Sequence, residues 1–105
     1  MSELRLLASA VRSALRELLL SLARAAGVEP PPGAWVELKL VRCGKPRCRS
    51  CPHGPYAYLR WYEGGRLRSR YLGRLDELLE RPEAARAMER LKELQALVRS
   101  LVEPP

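Results

Sequence analysis

The feature that most constrains this chain is a cluster of metal-binding residue types in one short stretch. All three cysteines and the only histidine of the 105 residues lie between positions 43 and 53. They are Cys43, Cys48, Cys51 and His53, which supply the three thiolates and one imidazole that a closed tetrahedral zinc site needs. Because four protein ligands leave no open position on the metal, the sequence predicts a structural Zn²⁺ ion rather than a catalytic one.

Other interpretations of the same residues stay open. Three is an odd number of cysteines, so a framework built only from disulfides would leave one cysteine over. The cysteines could instead be small, partly buried residues, or Cys48 and Cys51 could form a disulfide or a redox-active pair. His53 is either the fourth ligand or a residue that packs within the loop.

The charge of the chain indicates that its partners are polyanions. Nineteen Lys and Arg against 12 Asp and Glu give a formal net charge of +7. Most of these cations are arginine, whose planar guanidinium group suits phosphates and guanine edges. The absence of Asn, Thr and Ile fits a thermophile or a GC-rich genome. Since the first apolar stretch is interrupted by arginines, we expect no signal peptide, no membrane span and a reducing, cytoplasmic location.

Apolar spacing predicts a helix at each end of the chain. Residues 2–26 form the first helix, Gly27 ends it, and the three prolines of residues 29–33 make a stiff linker. Residues 75–103 are predicted to contain a short helical turn and a final amphipathic helix that begins at Pro82. The stripe of the first helix either packs on the rest of the domain or forms a coiled-coil-like homodimer interface. It contains Leu4, Ala8, Val11, Leu15, Leu18, Leu22 and Ala25.

Alternating apolar and polar residues predict three strands between the helices. Residues 34–42 form the first strand, and residues 56–62 and 66–72 form a hairpin around a Glu-Gly-Gly turn. The predicted fold is α+β, with a small three-stranded antiparallel sheet and a zinc-knuckle loop flanked by long N-terminal and C-terminal amphipathic helices. We expect a single domain over residues 1–105, in which the zinc-stapled sheet occupies residues 34–73.

The register of the hairpin decides which side chains share a surface. A two-residue Gly-Gly loop would pair Glu63 with Arg66 and mix core residues with charged residues on one face. A three-residue loop would instead pair Tyr62 with Arg66 and separate the two chemistries. We therefore predict the three-residue loop. Its outer face would contain Tyr56, Tyr58, Arg60, Tyr62, Arg66, Arg68 and Arg70.

This basic aromatic face, together with the cations of the cysteine loop, predicts nucleic-acid binding. Guanidinium groups bind phosphates or base edges, and aromatic rings stack on bases. A β-ribbon fits the major groove, so duplex DNA is slightly preferred over RNA. The alternative is an ordinary solvated strand face. The predicted nucleic-acid-binding residues are Lys45, Arg47, Arg49, Tyr56, Tyr58, Arg60, Tyr62, Arg66, Arg68 and Arg70.

Three segments of the chain resemble an uncharacterised prokaryotic family of small proteins. The segments are CGKPRC, HGPYAYLRWY and GGRLRSRYLG, and the family carries a CGK…C…C…HGPY signature before a basic hairpin. The resemblance covers residues 42–74 and implies a module rather than a reaction. It supports the same three cysteines and His53 as the site, and it implies that Gly54, Pro55 and Tyr56 shape the start of the second strand.

A shorter segment, from Tyr71 to Arg86, is similar to the arm-type DNA-binding domains of tyrosine integrases. Those domains place a three-stranded sheet against DNA with a helix behind it. The resemblance implies a DNA-binding sheet without the catalytic domain of an integrase, and it adds a little to the preference for duplex DNA.

The function that we expect is therefore that of a non-enzymatic, zinc-dependent nucleic-acid-binding protein, a small regulatory or architectural factor. The alternatives are a protein-interaction or dimerisation module and an RNA-associated or ribosome-associated protein. The sequence contains no recognisable phosphate loop and no Ser/His/Asp arrangement, so we expect neither catalysis nor a small-molecule substrate.

Overall fold

Two long helices and a short one accompany a three-stranded antiparallel sheet. The computed structural model describes residues 2–102, and it gives side-chain surroundings for residues 4–101. The elements are α1 (Ser2–Ala25), β1 (Trp35–Val41), β2 (His53–Glu63), β3 (Arg66–Arg74), α2 (Leu75–Leu79) and α3 (Pro82–Val102). The predicted α+β fold class is confirmed. The predicted end of the last helix at residue 103 lies outside the described residues.

The two long helices pack against each other in antiparallel directions. Ala14 and Leu18 of α1 are buried in one cluster with Leu91 of α3. Glu17 and Arg90 form an exposed ion pair at 3.5 Å across the same two helices. Much of the apolar stripe of α1 is therefore used within the chain, as the first of the two interpretations predicted. The homodimer interface stays a prediction.

The C-terminal end of α1 packs with α2 against one side of the sheet. Leu22 and Leu59 are the largest fully buried side chains, and they share a cluster with Val36, Ala57 and Leu78. Burying a side chain of this size contributes about 1.5–3 kcal/mol. The buried strand residues all lie on one side of the sheet, so within the described residues the helices cover this side and leave the other side open.

The proline-containing linker turns the chain from α1 into β1 without a regular element, as its composition predicted. The N–H of Val28 donates to the carbonyl of Ala23 at 2.9 Å, and the N–H of Ala34 donates to the carbonyl of Pro31 at 3.1 Å. Arg81, just before α3, donates to the carbonyl of Ala25 at 3.1 Å. This last bond satisfies one of the carbonyls that every helix leaves free at its C-terminal end.

The strands lie in the order β1-β2-β3, and the register of the hairpin differs from the prediction. Glu63 pairs with Arg66, and Tyr62 pairs with Leu67 rather than with Arg66. The turn is thus the two-residue loop, with Gly64 and Gly65 at φ values of 57° and 78°. Positive φ at both central residues is the signature of a type I′ turn, whose twist matches that of the strands it joins.

The predicted register was wrong because it assumed that charged residues cannot share a face with core residues. In the structure, Leu59 pairs with Arg70 and Trp61 pairs with Arg68, so these side chains do lie on one side of the sheet. β3 is an edge strand, and residues 66–70 are all exposed. The arginines therefore project into solvent beyond the area that the helices cover. Charged and core residues can share this side of the sheet because no charged group is buried.

No helix within residues 2–102 combines the length and the apolar character that crossing a membrane would require.

Candidate metal centre and aromatic sheet face

The four predicted metal ligands lie in and beside the loop of residues 42–52, which we call the knuckle loop. Cys43 follows the end of β1, and His53 is the first residue of β2. Val41 and His53 are paired across the two strands, so the loop leaves the sheet and returns to it at neighbouring positions. Between them the N–H of Cys48 donates to the carbonyl of Lys45 at 3.2 Å, which forms a tight turn.

This arrangement brings the four ligand atoms together into what we call the metal cluster. The three Sγ atoms and a ring nitrogen of His53 all lie within 4.8 Å of one another. The Sγ atoms of Cys43 and Cys51 are 3.4 Å apart, and the Sγ of Cys48 lies 3.3 Å from Nε2 of His53. All three cysteines are free of disulfides. The geometry is compatible with one bound metal ion, and it places His53 among the four residues that could hold the ion, despite the single residue between His53 and Cys51.

The crowding of these groups shifts their pKa values in both directions. Hydrogen bonds from the Cys51 thiol and from the N–H of Ser50 lower the pKa of Cys48 to about 6. The N–H of Cys43 acts to lower the pKa of Cys51, but the neighbouring thiols of Cys48 and Cys43 outweigh it and raise the value to about 11. Contacts with the Cys43 and Cys48 sulfurs raise the pKa of His53. The shifts thus favour the thiolate, the form of cysteine that binds metals, at Cys48 but not at Cys51.

Gly54 fixes the position of His53 relative to the sheet. Its φ is 116°, which side chains other than glycine rarely adopt. A Cβ atom at this position would lie 2.8 Å from the carbonyl oxygen of Lys39 and 2.9 Å from the amide nitrogen of Tyr56. The backbone of β2 therefore approaches β1 too closely for any side chain, directly beside His53 of the metal cluster.

The side of the sheet opposite the helices is rich in aromatic residues, and we call it the aromatic face. Cross-strand partners lie on the same side of a sheet. The pairs Glu37–Tyr58, Tyr58–Tyr71 and Tyr62–Leu67 define this side. The face also takes in the neighbours of those residues, and its aromatic members are Trp35, Tyr56, Tyr58, Tyr62 and Tyr71.

The rings of the aromatic face form two groups. At one end, Trp35 and Tyr62 have ring centroids 5.7 Å apart. At the other end, Tyr71 lies 5.4 Å from Tyr58 and 6.1 Å from Tyr56. Tyr62 is 68% exposed and Tyr71 is 53% exposed, so each group presents a ring to solvent. Such tilted contacts hold the rings in place and leave ring surface free.

A charged pair separates the two groups. The Arg60 guanidinium donates to a Glu37 carboxylate oxygen at 2.8 Å, and the Trp35 indole N–H donates to the other oxygen at 3.2 Å. These hydrogen bonds, with that of Arg60 first, lower the pKa of Glu37. The Lys39 ammonium lies 5.2 Å from the centroid of the Tyr58 ring. The face therefore carries positive charge as well as rings.

The structure divides the predicted nucleic-acid-binding residues into three places. Tyr56, Tyr58, Arg60 and Tyr62 lie together on the aromatic face. The cations of the knuckle loop, Lys45, Arg47 and Arg49, are all exposed at the end of the sheet that carries the metal cluster. The third set does not join the tyrosines: Arg66, Arg68 and Arg70 project from the helix-covered side of β3, where Arg68 approaches Glu63 at 3.6 Å.

The observed strand pairing adds residues that the sequence interpretation left out of the site. Tyr71, which was not among the residues of the predicted outer face, lies on the aromatic face. Trp35 and Lys39 belong to it as well, through their pairing with Arg60 and Tyr56. The Gly-Gly turn was the available signal, because two glycines between strands favour the two-residue hairpin loop that places Tyr71 opposite Tyr58.

Comparison with known proteins gives one match. A family model described as "Domain of unknown function (DUF6788)" matches residues 9–81. No curated protein and no solved structure matches the chain. The matched range includes the metal cluster and all three strands, and it ends before α3 begins. The likeness to integrase arm-type domains stays a prediction.

Proposed function

The chain belongs to the family described as a domain of unknown function (DUF6788), and on that premise we propose that it is a zinc-dependent nucleic-acid-binding protein. In this proposal it is a small regulatory or architectural factor rather than an enzyme. The metal is structural, and the binding surface consists of the aromatic face and the cations of the knuckle loop.

The donor set supports zinc as the metal. Sulfur ligands held at about 2.3 Å in a tetrahedron lie about 3.8 Å from one another, within the range of distances that the cluster spans. Three thiolates and one imidazole suit zinc better than magnesium or calcium, which prefer oxygen ligands. With all four positions taken by protein, the ion would hold the knuckle loop against the end of the sheet.

The main observation in favour of nucleic-acid binding is a long positively charged segment that contains the metal cluster. Between Glu37 and Glu63 the chain has no acidic residue. This stretch includes the knuckle loop and almost all of β2, the central strand of the aromatic face. Net positive charge beside exposed rings is typical of surfaces that bind polynucleotides. The cations of this stretch are Lys39, Arg42, Lys45, Arg47, Arg49 and Arg60.

A salt titration of polynucleotide binding tests this proposal. We expect the zinc-loaded protein to bind labelled DNA or RNA in fluorescence anisotropy, with an affinity that falls steeply as salt rises. Replacing Lys45, Arg47 and Arg49 together by Ala should weaken binding and reduce the slope of log K against log salt by about 2, because each lost phosphate contact removes about 0.7–0.9.

The matched control removes an equal number of positive charges from another surface of the protein. Arg86, Lys92 and Arg99 are exposed on α3, and they are also one lysine and two arginines. Their replacement by Ala changes the net charge equally, so it should leave most of the affinity and the slope in place. If neither triple variant differs from the parent protein, or if the parent binds no polynucleotide at low salt, the proposed function is wrong.

A second candidate function is an interaction module that forms a homodimer through its helices. The N-terminal end of α1 and the C-terminal end of α3 leave Leu4, Leu97 and Leu101 about half exposed. A cleft of about 320 Å³ lies between these ends. Light scattering at several protein concentrations would test this candidate. A dimer that dissociates on Leu97→Lys with Leu101→Lys would support it, and a monomer at every concentration would exclude it.

A further inference from the structure

The aromatic face uses nearly all the aromatic residues of the chain on one surface. Of four tyrosines and two tryptophans, only Trp61 lies on the helix-covered side, where it packs against the core. In a fold this small, such rings usually fill the core, because each can bury 150–250 Å². Here they are instead presented on the open side of the sheet, with Tyr62 and Tyr71 more than half exposed.

The two groups of rings are spaced along one strand. Tyr58 and Tyr62 belong to the same strand, four residues apart. At about 3.3 Å per residue, their Cα atoms are separated by about 13 Å. Each group therefore offers its own exposed ring rather than contributing to one continuous patch. Flat, separated rings of this kind can each receive one base, and stacking accepts any base because every base has a π face.

A duplex cannot use these rings in that way. Its bases are stacked on each other at intervals of about 3.4 Å, so their faces are already covered. It presents phosphates and groove edges, which call for a ribbon that carries cations toward the groove. The register takes those cations off the aromatic face, because Arg66, Arg68 and Arg70 lie on the side of the sheet opposite the tyrosines. The preference for duplex DNA depended on those residues sharing one face.

The charges on and beside the face favour a phosphate backbone over an apolar protein partner. Glu37 is the acidic residue of the face, and Arg60 neutralises it at 2.8 Å. Lys39 lies beside the Tyr58 ring, where its ammonium can reach a phosphate next to a stacked base. The cations of the knuckle loop continue this charge past the Lys39 end of the sheet.

We propose that the ligand is a single-stranded polynucleotide whose bases stack on Tyr62 and Tyr71 while its phosphates contact Lys39 and the knuckle loop. This inference rests on the proposed function and specifies its substrate class. Single-stranded DNA and RNA share the chemistry that it uses, so the two are separate arms of the test.

The experiment compares four labelled probes in one buffer: about 12 nucleotides of dT, the same length of U, and a mixed-sequence strand of that length, alone and as a duplex. We expect each single strand to bind at least about tenfold tighter than the duplex. Tyr62→Ala and Tyr71→Ala should each weaken single-strand binding by about 5–150-fold, the loss expected for one stacked base. Tyr62→Phe should retain the affinity, because the ring and not the hydroxyl is used.

Leu6 supplies the matched control. It is 69% exposed, lies on α1 outside the aromatic face and has no ring. Leu6→Ala should therefore leave binding within about twofold, less than any stacked base contributes. Duplex binding as tight as single-strand binding, or loss of affinity in Leu6→Ala equal to that in Tyr62→Ala, would overturn this inference while the proposed function stands. If the protein binds none of the four probes, both this inference and the proposed function are overturned.

Discussion

At the scale of single residues, the metal cluster depends on one close pair of side chains. The ring of His53 is placed by β2, whereas Cys48 is placed by the turn of the knuckle loop, yet their ligand atoms lie 3.3 Å apart. Two ligand atoms that come from different local structures and still lie in contact indicate a common metal ion better than sequence spacing does. The contact also explains why a single residue between Cys51 and His53 is enough spacing for both residues to join the metal cluster.

We expect Cys48→Ser and His53→Ala to lose zinc. Each removes one of four ligands, so metal affinity should fall by more than the roughly 10–100-fold that the loss of an outer partner costs. Elemental analysis after purification without added metal should give about one zinc per chain for the parent protein, and much less for both variants. Ser50→Ala is the control, since this exposed residue lies in the same loop and offers no ligand.

Two outcomes would contradict this expectation. Full zinc content in His53→Ala would make the site a three-cysteine site and leave His53 a packing role. Little or no zinc in the parent protein would show that the cluster holds no structural zinc. Metal binding would then not explain why the thiols lie so close together.

At the scale of elements, the hairpin shows where sequence reasoning succeeded and where it failed. The strands, the long helices and the metal cluster followed from local patterns, because spacing and turn residues act over a few positions. The register did not follow, because it depends on what covers each face. Nothing in the sequence indicates that the helices stop short of residues 66–70 of β3 and leave Arg68 and Arg70 in solvent, and a shift of one residue moves Tyr71 to the other side.

The junction between the knuckle loop and β2 should be intolerant of any side chain. In Gly54→Ala the new Cβ would meet the backbone of Lys39 at 2.8 Å, so the strands must separate or the loop must shift. We expect a loss of about 1–3 kcal/mol in the free energy of unfolding beyond the cost of the unfavourable φ, measured by urea denaturation.

Gly33 provides the comparison that isolates this contact. Its φ is also positive, at 77°, but a Cβ there would have no atom within 4 Å. Gly33→Ala should therefore lower the free energy of unfolding only by the cost of the positive φ, about 1–2 kcal/mol. Equal destabilisation of the two variants would mean that the close approach of β2 to β1 does not constrain the fold.

At the scale of the whole molecule, the apolar core and the metal cluster are separate. One buried cluster joins the helices to strand residues such as Val36, Ala57 and Leu59, and the other is built from helix residues alone. Residues 42–52 contribute to neither cluster, and the end of β1 that leads to the loop is poorly covered, with Leu38 43% and Leu40 61% exposed. A zinc ion bound there would therefore order the end of the sheet that carries the metal cluster, while burial of apolar area holds the helices to the other end.

Removing the metal should consequently open the loop without unfolding the helices. After chelation we expect the helical signal in circular dichroism to remain largely intact, because stability is local and the helices keep their buried contacts. Limited trypsin digestion should then cut first after Arg42, Arg47 or Arg49, whereas the zinc-loaded protein should resist at these sites; Lys45 is protected by the following proline. Cys48→Ser should be cut there with or without chelator. Loss of most helical signal on chelation would show instead that the ion stabilises the entire fold, as it does in small zinc-dependent domains.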